Sequence, residues 1–385
     1  MRMQKQRNPF SFGGLARDDD FADREKEVEE LTADGINGQD VVVFAPRRIG
    51  KSSLVGAAMT ELVAADVLVA DVDLWKIPNK EKFAEALAAA IYGDIATTLD
   101  RAIERALAPF RGLRITPTIS IDPETGAVNF RFSAESSQAD IDATLERLLE
   151  LPAELAAERG RSAVLVIDEF QDIARIDKSL TRVMRSVFQQ QPEVGHIYLG
   201  SKRHLMEQIF NDPNEPFWRS AKQMELGPIP SDPFAEFIAK RFGDTGKKID
   251  AQIVRRVLET TGGHPYATQR FCYEIWQRTD PGETATDVEL GLAFEAVLIG
   301  EDGYLTLTWE DSSKAQQLLL AALAREPGRP LRKDYRSRHQ LPAATNMQRA
   351  IQGLTHRELI AKDEDGSIRI AEPFFAEWIN EHIGG

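Results

Sequence analysis

The stretch APRRIGKSS, residues 45–53, places a lysine and two serines directly after a glycine, at the end of the apolar run VVVF. Inward-pointing backbone N–H groups, a glycine where the chain must take positive φ, and a helix N-terminus behind it make a cradle for an anion. The spacing is that of a phosphate-binding loop, in which Lys51 would reach the β- and γ-phosphates and the Ser52 hydroxyl would ligate Mg2+. The candidate nucleotide-binding residues are therefore Ala45, Pro46, Arg47, Arg48, Ile49, Gly50, Lys51, Ser52 and Ser53. Ala45 stands where the strict G-x-x-x-x-G-K-[ST] pattern has glycine. A methyl group is tolerable there, because the close approach to phosphate comes further along the loop.

Hydrolysis needs more than a cradle. The run AVLVIDEF, residues 163–170, ends in two adjacent carboxylates 117 residues beyond the lysine. Ligands of a parallel sheet collect at the carboxyl ends of its strands, so Asp168 would hold Mg2+ and Glu169 would orient and polarise an attacking water. Ser201, at the end of HIYLGS between the Asp-Glu strand and the sheet edge, is a candidate sensor of the γ-phosphate, or an ordinary helix N-cap. Arg219 in PFWRSAKQMEL and Arg203 are candidate arginine fingers or structural ion pairs. In TGGHPYATQ, His264 and Pro265 are candidate nucleotide contacts, with a plain helix cap as the alternative. Asp71 and Asp73 fit a structural role equally well. The six histidines are scattered without metal-ligand spacing, and no Ser-His-Asp or Cys-His pattern is present.

These groups need elements to hold them. Helix FADREKEVEELTAD, strand VVVFA, helix KSSLVGAAMTELVAA and the valine-rich strand DVLVADVDL come first. Residues 79–110 are predicted helical, with Phe83, Leu87, Ile91 and Ile95 four apart. The stretch LRITPTISIDPETGAVNFRFSA then alternates with period two around DPETG, a hairpin signature inserted at about residues 113–133. Strands apolar throughout and alternating with helices predict an α/β fold, a P-loop NTPase parallel sheet sandwiched by helices. Beyond Pro230 the strand signals stop, and short helices predict an all-helical lid. The last ~80 residues read as three helices and a two-strand hairpin at DEDG, a C-terminal winged helix. The expected domains are residues 1–230, 231–303 and 304–385.

Bulk properties narrow the class. The 385 residues allow two or three domains. No apolar run approaches the roughly 20 residues of a membrane span, and the N-terminus lacks a signal-like apolar core. The single cysteine, Cys272, rules out an internal disulfide and suits a reducing compartment, so a cytoplasmic protein is expected. A net charge of −14 argues against nonspecific coating of nucleic acid. Residues 321–360, however, hold eight Lys/Arg against three acids, a local charge of +5 that leaves −19 elsewhere. Arg336, Arg338, Asn346, Arg349 and Arg357 in that stretch are candidate DNA contacts.

In order, NPFSFGG…FADREKEVEEL, APRRIGKSSLV, VLVIDEFQDI, YLGSKRHLM, PFWRSAKQMELGPI and TGGHPY resemble the prokaryotic/archaeal ATPase group of the STAND branch of AAA+ P-loop ATPases, over roughly residues 8–385. FWRS departs from the group's aromatic-Gly-Arg. The resemblance implies a nucleotide domain, a lid with a Gly-x-Pro turn and a winged helix, using ATP/ADP and Mg2+ in a nucleotide-driven conformational switch. An ATP-regulated DNA-binding protein of the Orc/Cdc6-like initiator or loader kind shares that architecture and is the alternative. ATP, a protein partner or a second copy, and DNA through the winged helix are the expected partners, with no membrane. A non-enzymatic nucleotide-holding scaffold is disfavoured by the intact Asp168 and Glu169.

Overall fold

Runs such as VVVF and AVLVID have no polar alternation and can be satisfied only between two covered faces. In the computed structural model, which describes residues 7–14, 21–46, 48–93, 118–121, 128–131, 137–363 and 365–383, both runs are central strands buried along almost their whole length. The chain divides into two compact units, one of Arg24–Arg47 and Lys51–Gly227, the other of Met1–Asp23, Arg48–Gly50 and Pro228–Gly385.

The first unit runs α1 (Glu25–Ile36), β1 (Val41–Phe44), α2 (Lys51–Ala64), β2 (Leu68–Asp73), α3 (Lys80–Gly93), β3 (Thr118–Ile121), β4 (Val128–Arg131), α4 (Gln138–Arg159), β5 (Ala163–Asp168), α5 (Ile173–Ile176), α6 (Leu180–Phe188), β6 (Val194–Gly200), α7 (Arg203–Asn211) and β7 (Lys222–Glu225). Five strands pair in parallel in the order β2-β5-β6-β1-β7. Val42, Phe44, Leu165, Ile167 and Tyr198 turn to one face, in a core shared with α3, α4 and α6. On the other face α1 approaches closely. A Cβ at Gly35 would meet Val164 and Leu62, and one at Gly195 would lie 3.0 Å from the Gly35 carbonyl.

Two expectations change here. The strand ending at Ser201 is not displaced towards the edge but lies between the Asp-Glu strand and the loop-bearing strand. The valine-rich β2, expected to be buried, is an edge strand and only partly covered. The predicted hairpin is present as antiparallel β3 and β4, with Phe130 packed on Tyr92 of α3. Its turn, and the predicted helix from Ile95 onward, lie outside the described residues.

The second unit contains α8 (Ser231–Asp244), β8 (Lys248–Ile249), α9 (Ala251–Thr261), α10 (Pro265–Arg278), β9 (Thr284–Ala285), α11 (Asp287–Glu310), α12 (Lys314–Arg325), α13 (Lys333–Arg338), α14 (Ala344–His356), β10 (Ile360–Lys362), β11 (Ile368–Ile370) and α15 (Phe375–His382). The stretch predicted all-helical carries one small exception, since β8 and β9 pair in parallel over two residues each. The N-terminal NPF segment packs here. Asn8 donates to the Tyr273 carbonyl at 3.0 Å, and Phe10 is buried against Phe242. Sequence reading groups that segment with the nucleotide domain, because nothing local announces a partner more than 200 residues away. Helix α11 starts at a capping box built by Thr286 and Glu289 and runs unbroken past residues 303 and 304. One core joins Phe234 and Phe271 to Leu319, Met347 and Trp378.

Candidate functional site

Strand register decides which residues meet. Phe44 lies opposite Gly200, Ile167 opposite Tyr198 and Asp73 opposite Asp168, so β1, β5 and β6 finish along one line. The loop after β1, the Asp168-Glu169 pair and Ser201 therefore emerge side by side. Within the loop Ala45 and Ile49 are buried and Pro46 is exposed, while Arg47 lies outside the described residues. Gly50 has φ of +93°, which glycine adopts without strain. Arg48 takes φ of +62°, a left-handed conformation that costs a side-chain-bearing residue about 1 kcal/mol. Helix α2 begins at Lys51, as expected, and its first N–H groups have no partners within the helix.

The lysine turns back to the acids. Its Nζ lies 2.8 Å from Asp168 Oδ1 and 3.6 Å from Glu169 Oε1, with 8% of the side chain exposed. Glu169 has φ of +52° and ψ of +42°, so the chain kinks the moment β5 ends. Strained left-handed residues collect at functional sites. The next residue, Phe170, anchors the kink in a ring cluster, 4.7 Å from Tyr198 and 5.3 Å from Phe217. Glu169 Oε2 accepts from Ser201 Oγ at 2.8 Å and from the Gln171 amide. Burial pushes the Glu169 carboxyl up, but Lys51, Ser201 and Gln171 outweigh it and hold the group below its ordinary value. The result is a lysine, two carboxyl groups and a hydroxyl at the mouth of a helix.

Ser201 does not cap the following helix. The N-cap of α7 is Lys202, without a side-chain cap, and the serine hydroxyl is spent on Glu169. Ser52 is exposed at the first turn of α2. Among the described residues no group of three or more His, Cys, Asp or Glu could hold a metal. A cation here would take few protein ligands and draw the rest from phosphate and water, which is how Mg2+ is bound. Ser52 and Asp168 fit that requirement.

Arg203 and Arg219 make other contacts within the first unit. Arg203 pairs with Glu207 at 2.8 Å and with Glu225, the structural alternative for that residue. Arg219 is exposed, has φ of +51° and lies over the Trp218 ring. His264 and Pro265 belong to the second unit and build a turn. Gly262 ends α9 in the left-handed region, His264 is the N-cap of α10, and Pro265 is its first residue. Of the basic stretch, Arg338 pairs with Glu326 at 2.7 Å and Arg336 donates to the Leu331 carbonyl. Arg357 donates to Thr308 O at 3.1 Å and Ser312 Oγ at 3.0 Å, tying down the end of α11. Asn346 and Arg349 are exposed on α14. Gln171 was not a sequence candidate. It sits in the DEFQD run with nothing in its spacing to mark it.

Helices α12 to α14 followed by the antiparallel β10–β11 pair, whose turn closes through Gly366, lie within residues 304–381, which match the family described as a probable winged helix domain. The C-terminal domain is a winged helix. Over the whole chain, a Walker-type ATPase of Pyrococcus abyssi superposes with a TM-score of 0.65 at 18% identity, covering 97% of this chain and 99% of that one. The ORC2 protein of Aeropyrum pernix, solved as ADPNP and ADP complexes, gives 0.57 at 13% identity, covering 98% and 96%. At such identities the likeness is one of fold, a P-loop ATPase sheet with flanking helices and a C-terminal winged helix, the class expected from sequence. No curated protein matches the sequence. Among the described residues no helix is long and apolar enough to cross a membrane.

Proposed function

We propose that this chain binds ATP with Mg2+ at the loop before Lys51, hydrolyses it slowly, and uses the exchange of ATP for ADP as a conformational switch of the STAND kind. The observation that carries the proposal is the 2.8 Å approach of Lys51 to Asp168, with Glu169 held at the same strand end by Ser201. Residues of unrelated type, 117 positions apart, converge where a γ-phosphate would lie on a helix N-terminus.

In this reading Lys51 neutralises phosphate charge, and the backbone N–H groups that follow Pro46, as far as Ser53, cradle the chain of phosphates. Ser52 and Asp168 would hold Mg2+, which when bound supplies further neutralisation of the phosphate oxygens. Glu169, ionised at neutral pH, takes the proton of the attacking water. The water oxygen bonds to the γ-phosphorus, the bond to the bridging oxygen breaks, and ADP leaves with that electron pair. Ser201, the sensor candidate, donates to Glu169 and would answer to the terminal phosphate through that carboxylate. Arg219 is the candidate finger towards a second copy, since Arg203 is already paired with two acids. Roles for His264 and Pro265 rest on the sequence resemblance.

Binding of a fluorescent ATP analogue and phosphate release, measured together, test the assignment. Lys51→Ala should lose binding. Glu169→Gln should keep binding and lose turnover by about 100-fold or more. Wild-type turnover in Glu169→Gln would overturn the role of the base.

A second reading, ATP-regulated DNA binding, is favoured by one observation. Arg349, Gln352, His356 and Arg357 line an open groove on the winged helix with Gln316 and Asp311, and Arg349 is exposed there, whereas Arg336, Arg338 and Arg357 donate within the protein. Duplex titration at two salt concentrations decides it. Binding that weakens steeply with salt and falls in Arg349→Ala supports DNA contact, and no binding at low salt leaves a protein-facing domain.

A further inference from the structure

Glu169 Oε2 receives two donors at once. One is the Ser201 hydroxyl from the end of β6, the other the Gln171 amide from the short turn Phe170–Asp172. Gln171 is 5% exposed. The nitrogen must be the atom that faces the carboxylate, because an amide oxygen cannot donate. The oxygen at the other end, Oε1, is buried and has no hydrogen-bond partner among the described residues. It lies against Gly200, where a Cβ would come within 2.6 Å of it. A buried amide with one end unsatisfied is costly and calls for an explanation. Packing does not supply one, since an apolar side chain of the same length would fill the space without an orphaned oxygen.

We propose that Gln171 is a positioning residue for hydrolysis. With Ser201 it clamps Oε2 from two directions and so sets the rotamer of Glu169. That leaves Oε1, the oxygen 3.6 Å from Lys51, free of the clamp and turned to accept the proton of the attacking water. Gly200 belongs to the same device, because its missing side chain is what admits the amide. The inference rests on the ATPase reading with Glu169 as base.

The variant of choice is Gln171→Met, of similar length and unable to donate. The protein should stay folded with a wild-type ATP Kd, while kcat falls by about 10- to 100-fold. The acid limb of the pH–rate profile should move to higher pH, since a carboxylate that loses a donor is harder to ionise. In a Glu169→Gln background the same change should add nothing, because the amide acts through the carboxylate. Should the methionine variant not fold, Gln171→Glu keeps the shape and donates only when protonated. Its turnover should then fall as pH rises where that of the wild type does not. Wild-type kcat with an unmoved acid limb in the methionine variant overturns the inference, as do a wild-type pH response in the glutamate variant and an equal proportional loss in the Glu169→Gln background. Failure of the underlying reading looks different. A wild type that binds ATP without hydrolysing it, or an active Glu169→Gln, removes both.

Discussion

Lys51→Met keeps the bulk of the stem and deletes the charge, which makes it a test of the site independent of any nucleotide. The lysine side chain is 8% exposed, and the Asp168 and Glu169 side chains keep 27% and 19%. Removing one partner of a fully buried pair costs about 3–5 kcal/mol, and an exposed pair about 0–1. Intermediate exposure places this substitution at about 2 kcal/mol at neutral pH. The pH dependence is sharper. In the wild type, burial pushes Glu169 up, but Lys51, Ser201 and Gln171 leave it below the ordinary value of 4.5. The native state then binds fewer protons than the unfolded chain just below that value. Stability rises with pH there, and is lost as pH falls through the folded pKa. Without the ammonium, burial is opposed only by Ser201 and Gln171, so the folded pKa of Glu169 moves up and the stability gained with rising pH shrinks. Urea unfolding without nucleotide, at about pH 5 and about pH 8, reads the difference. The variant should lose about 2 kcal/mol at the higher pH and clearly less at the lower. An equal loss at both would refute the electrostatic account of the cluster.

Gly200→Ala should destabilise by about 1–3 kcal/mol by overpacking Met206 and Gln171. Turnover should drop with ATP affinity retained, both readable by thermal melting and phosphate release. Phe170→Ala, emptying a fully buried ring site beside Tyr198 and Phe217, should cost about 3–5 kcal/mol in urea unfolding. Arg357→Gln removes donors from Thr308 O and Ser312 Oγ, and should lower the stability of the C-terminal unit by about 1–2 kcal/mol with ATP turnover unchanged. Differential scanning calorimetry of the whole chain would show the shift, and an unaltered transition would mean those bonds are not stabilising.

Much of the site was legible because its chemistry is local. The loop motif, the helix starting at Lys51, and the acids closing an apolar strand each occupy a few consecutive residues. The wing and its helices were legible for the same reason, through turn residues and helical period. What escaped depends on pairing across the chain. Strand order is invisible to periodicity, so the central place of β6 appears only when Phe44 is seen opposite Gly200. Basic residues carry no mark of their partners, and Arg203, Arg336, Arg338 and Arg357 looked as free as Arg349. Gln171 escaped for a subtler reason. Its role is defined by a carboxylate two residues earlier that kinks into the left-handed region, and by a glycine 29 positions later that makes room.

Helix α11 also sets a mechanical condition on the C-terminal half. It is unbroken over 24 residues, and its Asp302 accepts from the Trp378 indole of the last helix at 2.8 Å. Twisting the winged helix against the preceding bundle would require snapping backbone bonds in the middle of a rod. The half is thus a crank without a joint. A displacement of the bundle would carry the wing with it, and limited proteolysis should find no cut between the two.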